Sequence, residues 1–471
     1  MRVPGGQEGK GYPIVILAAG RGSRLKKGDG EPKPLTRLLG LTLLERAVLS
    51  AREVGVEEFY VVVGYGKEEV ISHIEEMERR HGLSIRVVEN PHWEEENGTS
   101  VLAAREHLSG PFLLAMCDHV FDPQILRRLM EADDGTDTSL IAVDEELDRI
   151  FDLDEATKVR LEGERPVAIG KEVSSFDAVD TGLFLCKPPI FDALMEARKE
   201  GDSSLSAGIR KLIERGKIQA VKVGGYFWTD IDTPEDLEHA KEALLKGLGK
   251  EEEDGFISRY LNRPLSRKMT ARLVDTPLTP NGISLLSFSV ALLGAFLFGI
   301  GGYFWTLVAG LLVQLASIAD GCDGEVARLK FSSSPYGGWM DTLLDRYSDG
   351  AIVAGITYGH WLSFPEASTW AWGVISLMGF ALVSYTKKEF SLRYGRKLPH
   401  DIWDKVSKRD LRLFGIFVGA ILNRPFEAMA LLGLLSHGVI LRYLLSEYRK
   451  KTIKLKGRRI ADEIQSRTGT Q

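Results

Sequence analysis

The chain has 471 residues, enough for two or three domains, and its 44% hydrophobic and 27% charged content excludes a collagen-like, low-complexity or disordered chain. Its net charge of −6 is unevenly spread: from Ala271 onward 23 Lys and Arg face 16 acids, a balance of +7, which leaves −13 for the first 270 residues. Residues 276–319 and 367–386 carry no Asp, Glu, Lys or Arg, runs of membrane-spanning length that the whole-chain mean hydropathy of −0.07 conceals. An acidic soluble part followed by a basic membrane part is therefore expected. Cys117, Cys186 and Cys322 lack metal-ligand spacing and are too few for a disulfide framework, so they read as small buried residues of a reducing compartment.

The first residues, MRVPGGQEGKGYPIV, lack the charged-then-apolar pattern of a secretory signal, which predicts a cytoplasmic first domain. From Tyr12 to about Leu245, short β-branched runs alternate with helical stretches: PIVILAAG, LTLLERAVLSAREVG, EEFYVVVGY, KEEVISHIEEMERRHG and SIRVVEN. That alternation predicts βαβ units on a mostly parallel sheet. FLLAMCD, SLIAVD, AVDTGLFLC and IQAVKVG are further strand candidates. The polar segment LKGLGKEEEDG then reads as a solvated linker.

Within the first part, LAAGRGSRL (17–25) follows the apolar run PIVI and is followed by PKPL (32–35). A Gly-rich turn after a first strand exposes backbone N–H groups to phosphate, and Arg24 and Lys33 add positive charge there. Neither G-x-G-x-x-G nor the P-loop pattern is present. The two segments together resemble the sugar-phosphate nucleotidyltransferase family, and the likeness extends over most of residues 12–240. It implies a Rossmann-like domain in which Leu17, Ala18, Ala19, Gly20, Gly22 and Lys33 bind nucleotide, with Asn97, Gly98, Thr99 and Ser100 reading the base. Asp118 and Asp232 match the positions that bind Mg²⁺, while Lys171 and Asp180 resemble residues lining an acceptor-phosphate pocket. By position alone, Asp118 is also a strand-end cap and Asp232 a helix N-cap. The implied chemistry is in-line attack of an acceptor phosphate on the α-phosphorus, with Arg24 and Lys33 stabilising charge.

Next comes FISRYLNRPLSRKMTARL, whose Phe256, Ile257, Tyr260, Leu261, Leu265 and Met269 recur at helical spacing among basic residues. This composition suits a helix lying in a membrane surface, and equally a plain amphipathic linker; Pro264 is expected to kink or break it. Beyond Pro280 six spans are expected: 283–304, 305–327, 337–358, 369–390, 411–422 and 425–448, the fifth being short. The loop 386–412 holds nine Lys or Arg against four acids, whereas GGYFW and HWLSFPEASTW hold no Lys or Arg. By the positive-inside rule, both termini and the soluble domain are then cytoplasmic on a multi-pass protein of the cell membrane.

Residues 320–345, DGCDGEVARLKFSSSPYGGWMDTLLD, place Asp320 and Asp323 on one helical face and Asp341 and Asp345 on another, so that two helices could aim four carboxylates at one point. Such a cluster at a membrane needs cations, and hard oxygen ligands suit Mg²⁺ or Mn²⁺, whose work is to neutralise phosphate oxygens. Gly324 and Gly337 would let a diphosphate approach, and Arg328 could clamp a phosphate. The alternative is that buried acids pair with Arg328 and Arg346 to hold helices together. The spacing D-x-x-D-G-x-x-A-R, eight residues, G-x-x-x-D-x-x-x-D resembles the CDP-alcohol phosphotransferase family at every fixed position. That resemblance implies six transmembrane helices and two metals on Asp320, Asp323, Asp341 and Asp345, with Asp345 also the general base for the acceptor hydroxyl. Thr279, Pro280, Asn281 and Gly282 resemble the family's segment ahead of the first span; by spacing alone TPNG is a turn with a candidate helix cap.

The two modules in this order resemble a bifunctional archaeal-type family that joins CTP:inositol-1-phosphate cytidylyltransferase to di-myo-inositol-phosphate-phosphate synthase. The resemblance implies CTP, inositol 1-phosphate and CDP-inositol as ligands, Mg²⁺ (or Mn²⁺) at both sites, and a product that precedes a compatible solute. It also implies a homodimer in a lipid bilayer, and no nucleic-acid partner is expected. Lys387, Lys388, Arg393, Arg396 and Lys397 are candidates for the acceptor phosphate, or alternatively topology-setting charge; Lys387 and Arg396 are singled out. The expected domains are 1–247, a linker with interfacial helix over 248–278, the membrane domain 279–455 and a basic tail 456–471. The rival readings are a phospholipid synthase, whose groove would open to the bilayer, and a nucleotide-sensing transporter or receptor, which would bind without turnover.

Overall fold

The structure is a computed structural model that describes residues 11–22, 24–25, 30–249, 255–396, 398 and 401–468. It divides into two compact units between Leu245 and Lys246.

The first unit is built on a nine-stranded sheet. Ile14–Ala18 pairs in parallel with Phe59–Val63 on one side and with Phe112–Met116 on the other, and Ile85–Glu89 continues the parallel run. Every residue of Ile14–Ala18 and Phe59–Val63 is buried. Ile14, Ile16 and Ala18 pack into one core and Val15 and Leu17 into another, so the strand is covered on both faces, which is why it reads as an unbroken apolar run. Ala178–Cys186 enters antiparallel beside Phe112–Met116, and Ser139–Asp144 with Ile218–Lys222 adds a further parallel pair. The strands expected from sequence are all present. The hairpin Lys158–Glu162/Arg165–Gly170 and the short ladder His119–Phe121/Trp228–Asp230 were not expected, because their polar, half-exposed strands carry little apolar periodicity.

Chain connections from Ile14–Ala18 and from Phe112–Met116 leave in opposite directions across the sheet, so a crevice opens at the carboxyl ends of these neighbours. The Gly-rich segment follows the first strand and Asp118 follows the second. This placement by topology puts both at the switch point.

The second unit is helical: Pro280–Ile300, Tyr303–Leu329, Pro335–Ser363, Ala367–Tyr394, Arg409–Ile421 and Pro425–Thr468. Four of these are long and apolar enough to cross a membrane: Pro280–Ile300, Tyr303–Leu329, Ala367–Tyr394 and the Pro425–Lys450 part of the last helix. Six spans are thus not established. The third helix carries Asp341, Asp345, Arg346 and Asp349 along its length, and the fifth has 13 residues. The last helix runs to Thr468, through most of the expected tail. Thr279 caps Pro280–Ile300, its hydroxyl accepting from the Gly282 N–H at 3.1 Å, which realises the cap that TPNG suggested. A Cβ on Gly355 or Gly359 would strike the carbonyls of Ala295 and Phe298, so glycine sets the close approach of the first and third helices. Phe296, Val374 and Leu444 are exposed on outer helix faces.

Ahead of these helices, a π-helical turn Ser258–Asn262 runs directly into the α-helix Arg263–Leu273. Pro264 does not break the segment: a π turn directly precedes it and the chain stays helical through it. The polar face is the one turned inward. Glu325, fully buried, accepts from Arg263 at 2.8 Å and from the hydroxyls of Ser266 and Thr270, each at 2.7 Å. Phe256, Tyr260, Leu261 and Leu265 are left exposed. All three cysteines are buried and free, as expected. Residues 1–10 and 250–254, the core of the expected linker, and Lys397 lie outside the described residues.

Candidate active sites

In the first unit Lys33, contributed by a short 3₁₀ turn, places its Nζ 2.6 Å from Asp118 and 2.7 Å from Asp232. Burial alone would lower its pKa, and the two carboxylate charges overcome that, so the ammonium titrates above the usual lysine range. Asp118 is raised by burial and lowered further by Lys33, ending below the usual aspartate range. Gly22, at φ +65, packs against the aliphatic stem of Lys33, where a Cβ would collide. Arg24 is half exposed and pairs with Asp232 at 3.0 Å and with Glu155 at 3.3 Å.

Two cavities meet at Asp118. A smaller one, about 230 Å³, is lined by Leu17, Ala19, Gly20, Lys33, Asn97 and Ser100. A larger one, about 440 Å³, is lined by Asp232, Lys171 and Asp180, and the two share Asn97, Met116, Asp118 and His119. Nucleotide and acceptor candidates thus fall on the two sides of one carboxylate. Three candidates have other work. Ala18 is fully buried in the core, Gly98 abuts the Ser203 carbonyl, and Thr99 bonds Asn90 at 3.0 Å. The Asn97 side chain accepts from the Leu205 N–H at 2.9 Å. Lys171 pairs with Glu155 at 3.0 Å, so that one acid spans it and Arg24.

Asp180 lies on the bulge of Ala178–Cys186 and accepts from the Gly182 N–H at 2.8 Å. Burial dominates and pushes its carboxyl up to about 6, with the Gly182 N–H and His119 only partly opposing it. The fold therefore favours the protonated form. That contribution is complete below the ordinary aspartate range and is lost as pH rises through about 6. Asp180→Asn should accordingly stabilise the first unit at pH 7.5, by up to about 2 kcal/mol, and change little at pH 4, as read by scanning calorimetry of the full chain. Destabilisation at pH 7.5 would show that the carboxylate is compensated.

In the second unit a cavity of about 750 Å³ is lined by Asp320, Asp323, Gly324, Arg328, Asp345 and Lys387. Asp320, Asp341 and Asp345 bring carboxylate oxygens within 4.8 Å of one another. Asp323 is not part of that trio: it accepts from the Ser284 hydroxyl and the Gly324 N–H, because its helix turns it toward the first span. Gly337 and Asn281 lie against each other at the starts of their helices, outside the residues that line the cavity. Arg396 also lies apart, paired with Glu447 at 2.8 Å and stacked over Phe390, whereas Lys387, Lys388 and Lys408 do line the cavity. Lys387 donates to Ser407 at 2.7 Å and pairs with Asp404 at 2.8 Å. Arg393 pairs with Glu389.

Comparison with known proteins follows the same division. Residues 14–221 match the MobA-like NTP transferase domain and residues 277–441 match the CDP-alcohol phosphatidyltransferase family. A bifunctional IPC transferase and DIPP synthase of Rubrobacter xylanophilus is 42% identical over 95% of this chain and 98% of its own length. The chain belongs to the bifunctional IPC transferase and DIPP synthase family. The Aquifex aeolicus member is 34% identical, over 92% of this chain and 97% of its own. The inositol-1-phosphate CTP transferase from T. maritima aligns at 27% identity and a TM-score of 0.45, over 50% of this chain and 95% of that one.

As a member of this family the protein is a transferase with a nucleotidyltransferase and a CDP-alcohol phosphotransferase domain. These families generally use divalent metal ions, and the donor sets fit them: Asp118 and Asp232 converge on one ammonium, and three carboxylates converge in the helical unit. Several cavity or cluster residues had escaped the sequence. His119 stacks on Trp228, donates from Nδ1 to the Thr181 carbonyl at 2.8 Å and lies 3.9 Å from the Asp118 carboxylate. Glu155, Arg409 and Asp349 lie outside the motifs and Glu325 fills an unspecified position within one, so all four become visible only when distant elements meet.

Proposed function

We propose that the protein carries out two consecutive transfers: CTP and inositol 1-phosphate give CDP-inositol and pyrophosphate, and CDP-inositol with a second inositol 1-phosphate gives phosphorylated di-inositol phosphate and CMP. The observation that carries this reading is the close kinship, over 95% of the chain, to a bifunctional IPC transferase and DIPP synthase. In the first reaction the acceptor phosphate attacks the α-phosphorus in line and pyrophosphate leaves. Lys33 and Arg24 stabilise the developing charge, the backbone from Leu17 to Gly22 cradles phosphates, and Asn97 to Thr99 contact the base. Lys171 and Asp180, on the far side of Asp118, hold inositol 1-phosphate; the Asp180 carboxylate can accept hydrogen bonds from the polyol hydroxyls.

In the second reaction the acceptor hydroxyl gives its proton to Asp345 and attacks the β-phosphorus, and CMP leaves. Gly324, Arg328 and Gly337 border the diphosphate, with Asn281 close to Gly337, while Lys387 and its neighbours take the acceptor phosphate, Arg396 being the weakest candidate by position. Asp118 and Asp232 would hold Mg²⁺ (or Mn²⁺) in the first site, and Asp320, Asp323, Asp341 and Asp345 would hold it in the second. A metal held there would neutralise phosphate oxygens.

We further read the six helices as six spans, with the polar third and short fifth shielded by their neighbours, in a homodimer embedded in a cell membrane with both termini cytoplasmic. The domain limits are those expected from sequence: 1–247, 248–278, 279–455 and 456–471. The outward apolar face of residues 256–273 supports a place for that helix in the membrane surface.

The test is to supply detergent-solubilised protein with CTP, Mg²⁺ and inositol 1-phosphate and to follow phosphorus NMR. Pyrophosphate, then CMP and a phosphodiester of two inositols, are expected without added lipid. Pyrophosphate alone would move the second step toward a lipid acceptor, and binding without turnover would favour a sensor.

A further inference from the structure

The acid motif of the helical unit supplies carboxylates, and a cation that pairs with two of them comes from outside it. Arg409 opens the helix Arg409–Ile421 and reaches into the cluster, with Nη1 2.6 Å from Asp345 and 3.2 Å from Asp320. Its Nε bonds Asp349 at 3.0 Å. Asp349 lies one turn beyond Asp345, is 5% exposed, and is approached by Arg346 at 3.6 Å and Arg412 at 3.5 Å. A planar guanidinium anchored by its Nε edge presents Nη1 in one direction, so Asp349 fixes where the charge of Arg409 points. Two of the three converging carboxylates thus already share a monovalent cation.

We infer that Arg409, aimed by Asp349, is a built-in counter-ion of the transferase site, and that a divalent cation enters by exchange, taking Asp320 and Asp345 from the guanidinium. The inference rests on the reading of this cluster as a metal site. Three half-buried carboxylates at this separation repel, and in a low-dielectric surrounding the repulsion is large. An arginine, which keeps its proton, holds them together until metal arrives. Exchange then leaves its charge in a cavity that Lys387 and Lys408 also line, adding a cation for a phosphate. Asp349 is a positioning residue: its contacts are with arginines, and it does not line the cavity.

The test uses full-length protein carrying Asp118→Ala, which removes the soluble site's share of metal, and reads Mn²⁺ binding by EPR without substrates. Arg409→Gln should bind Mn²⁺ about tenfold more tightly or better, and Arg409→Lys, which keeps the competing charge, within about threefold of the parent. Should Arg409→Gln fail to fold, the parent itself answers: with isotope-labelled arginine, Mg²⁺ should shift a guanidinium infrared band, and Arg409→Lys should lack that shift. Unchanged or weaker Mn²⁺ binding in Arg409→Gln, or no Arg409-dependent band, overturns the exchange. If Asp341→Asn leaves the Mn²⁺ stoichiometry unaltered, the metal reading of the cluster fails and the exchange falls with it. A site lost in Asp341→Asn but indifferent to Arg409 sinks the exchange alone.

Discussion

Asp118→Ala should lower pyrophosphate release from CTP and inositol 1-phosphate by about 10³-fold, while CMP release from supplied CDP-inositol stays at the parent rate. Asp118 stands at the carboxyl end of a strand whose pairing does not involve its side chain, so the sheet loses nothing when the carboxylate goes. What changes is charge. Lys33, now 2.6 Å from Asp118 and 2.7 Å from Asp232, keeps only one partner. The cavity wall shared by the nucleotide and acceptor candidates loses its one common anion. Asp118 is held ionised by Lys33 against burial, so the deficit should be the same from pH 6 to 9, where the parent carboxyl is charged throughout. Separate assays of pyrophosphate and CMP decide the matter, since loss of both activities in a folded variant would defeat the two-site reading.

How far the sequence carried this picture depends on the range of the interaction. The strand Ile14–Ala18 was legible because burial on both faces demands an unbroken apolar run, and the TPNG cap because its partner is three residues away. Asp341 and Asp345 converge as helical spacing requires, and Asp320 joins them from the neighbouring helix. Periodicity could not show that Asp323 turns to Ser284, since that depends on the rotation of one helix against another. Nor could it show that Arg409 pairs with Asp345 and Asp320, while Arg328 bonds the Leu248 carbonyl at 3.1 Å. Arg346 does pair with Asp345, at 3.4 Å, so the structural alternative holds in part. Of the kink or break expected at Pro264, the break does not occur: the chain accommodates the proline with a π turn directly before it and stays helical. The inward polar face of that helix depends on Glu325, a residue that the motif leaves unspecified.

Asp345→Ala should do the reverse of Asp118→Ala, cutting CMP release by about 10³-fold or more while pyrophosphate release from CTP continues and CDP-inositol accumulates. Three effects coincide at this carboxylate. It is the proposed acceptor of the hydroxyl proton, one of three acids whose oxygens lie within 4.8 Å, and the closest partner of Arg409 at 2.6 Å. Alanine removes all three, whereas Asp345→Asn keeps the volume and a neutral oxygen that can still face the guanidinium. The two variants therefore divide the roles. If Asp345 only holds the site together, asparagine should recover most of the activity; if its charge takes the proton, asparagine should be as inactive as alanine while binding CDP-inositol near the parent affinity. Accumulated CDP-inositol gives the measurement an internal control, because the first reaction in the same tube reports that the chain is folded and supplied with metal. Equal loss of pyrophosphate and CMP in Asp345→Ala would contradict the assignment of separate transfers to separate units.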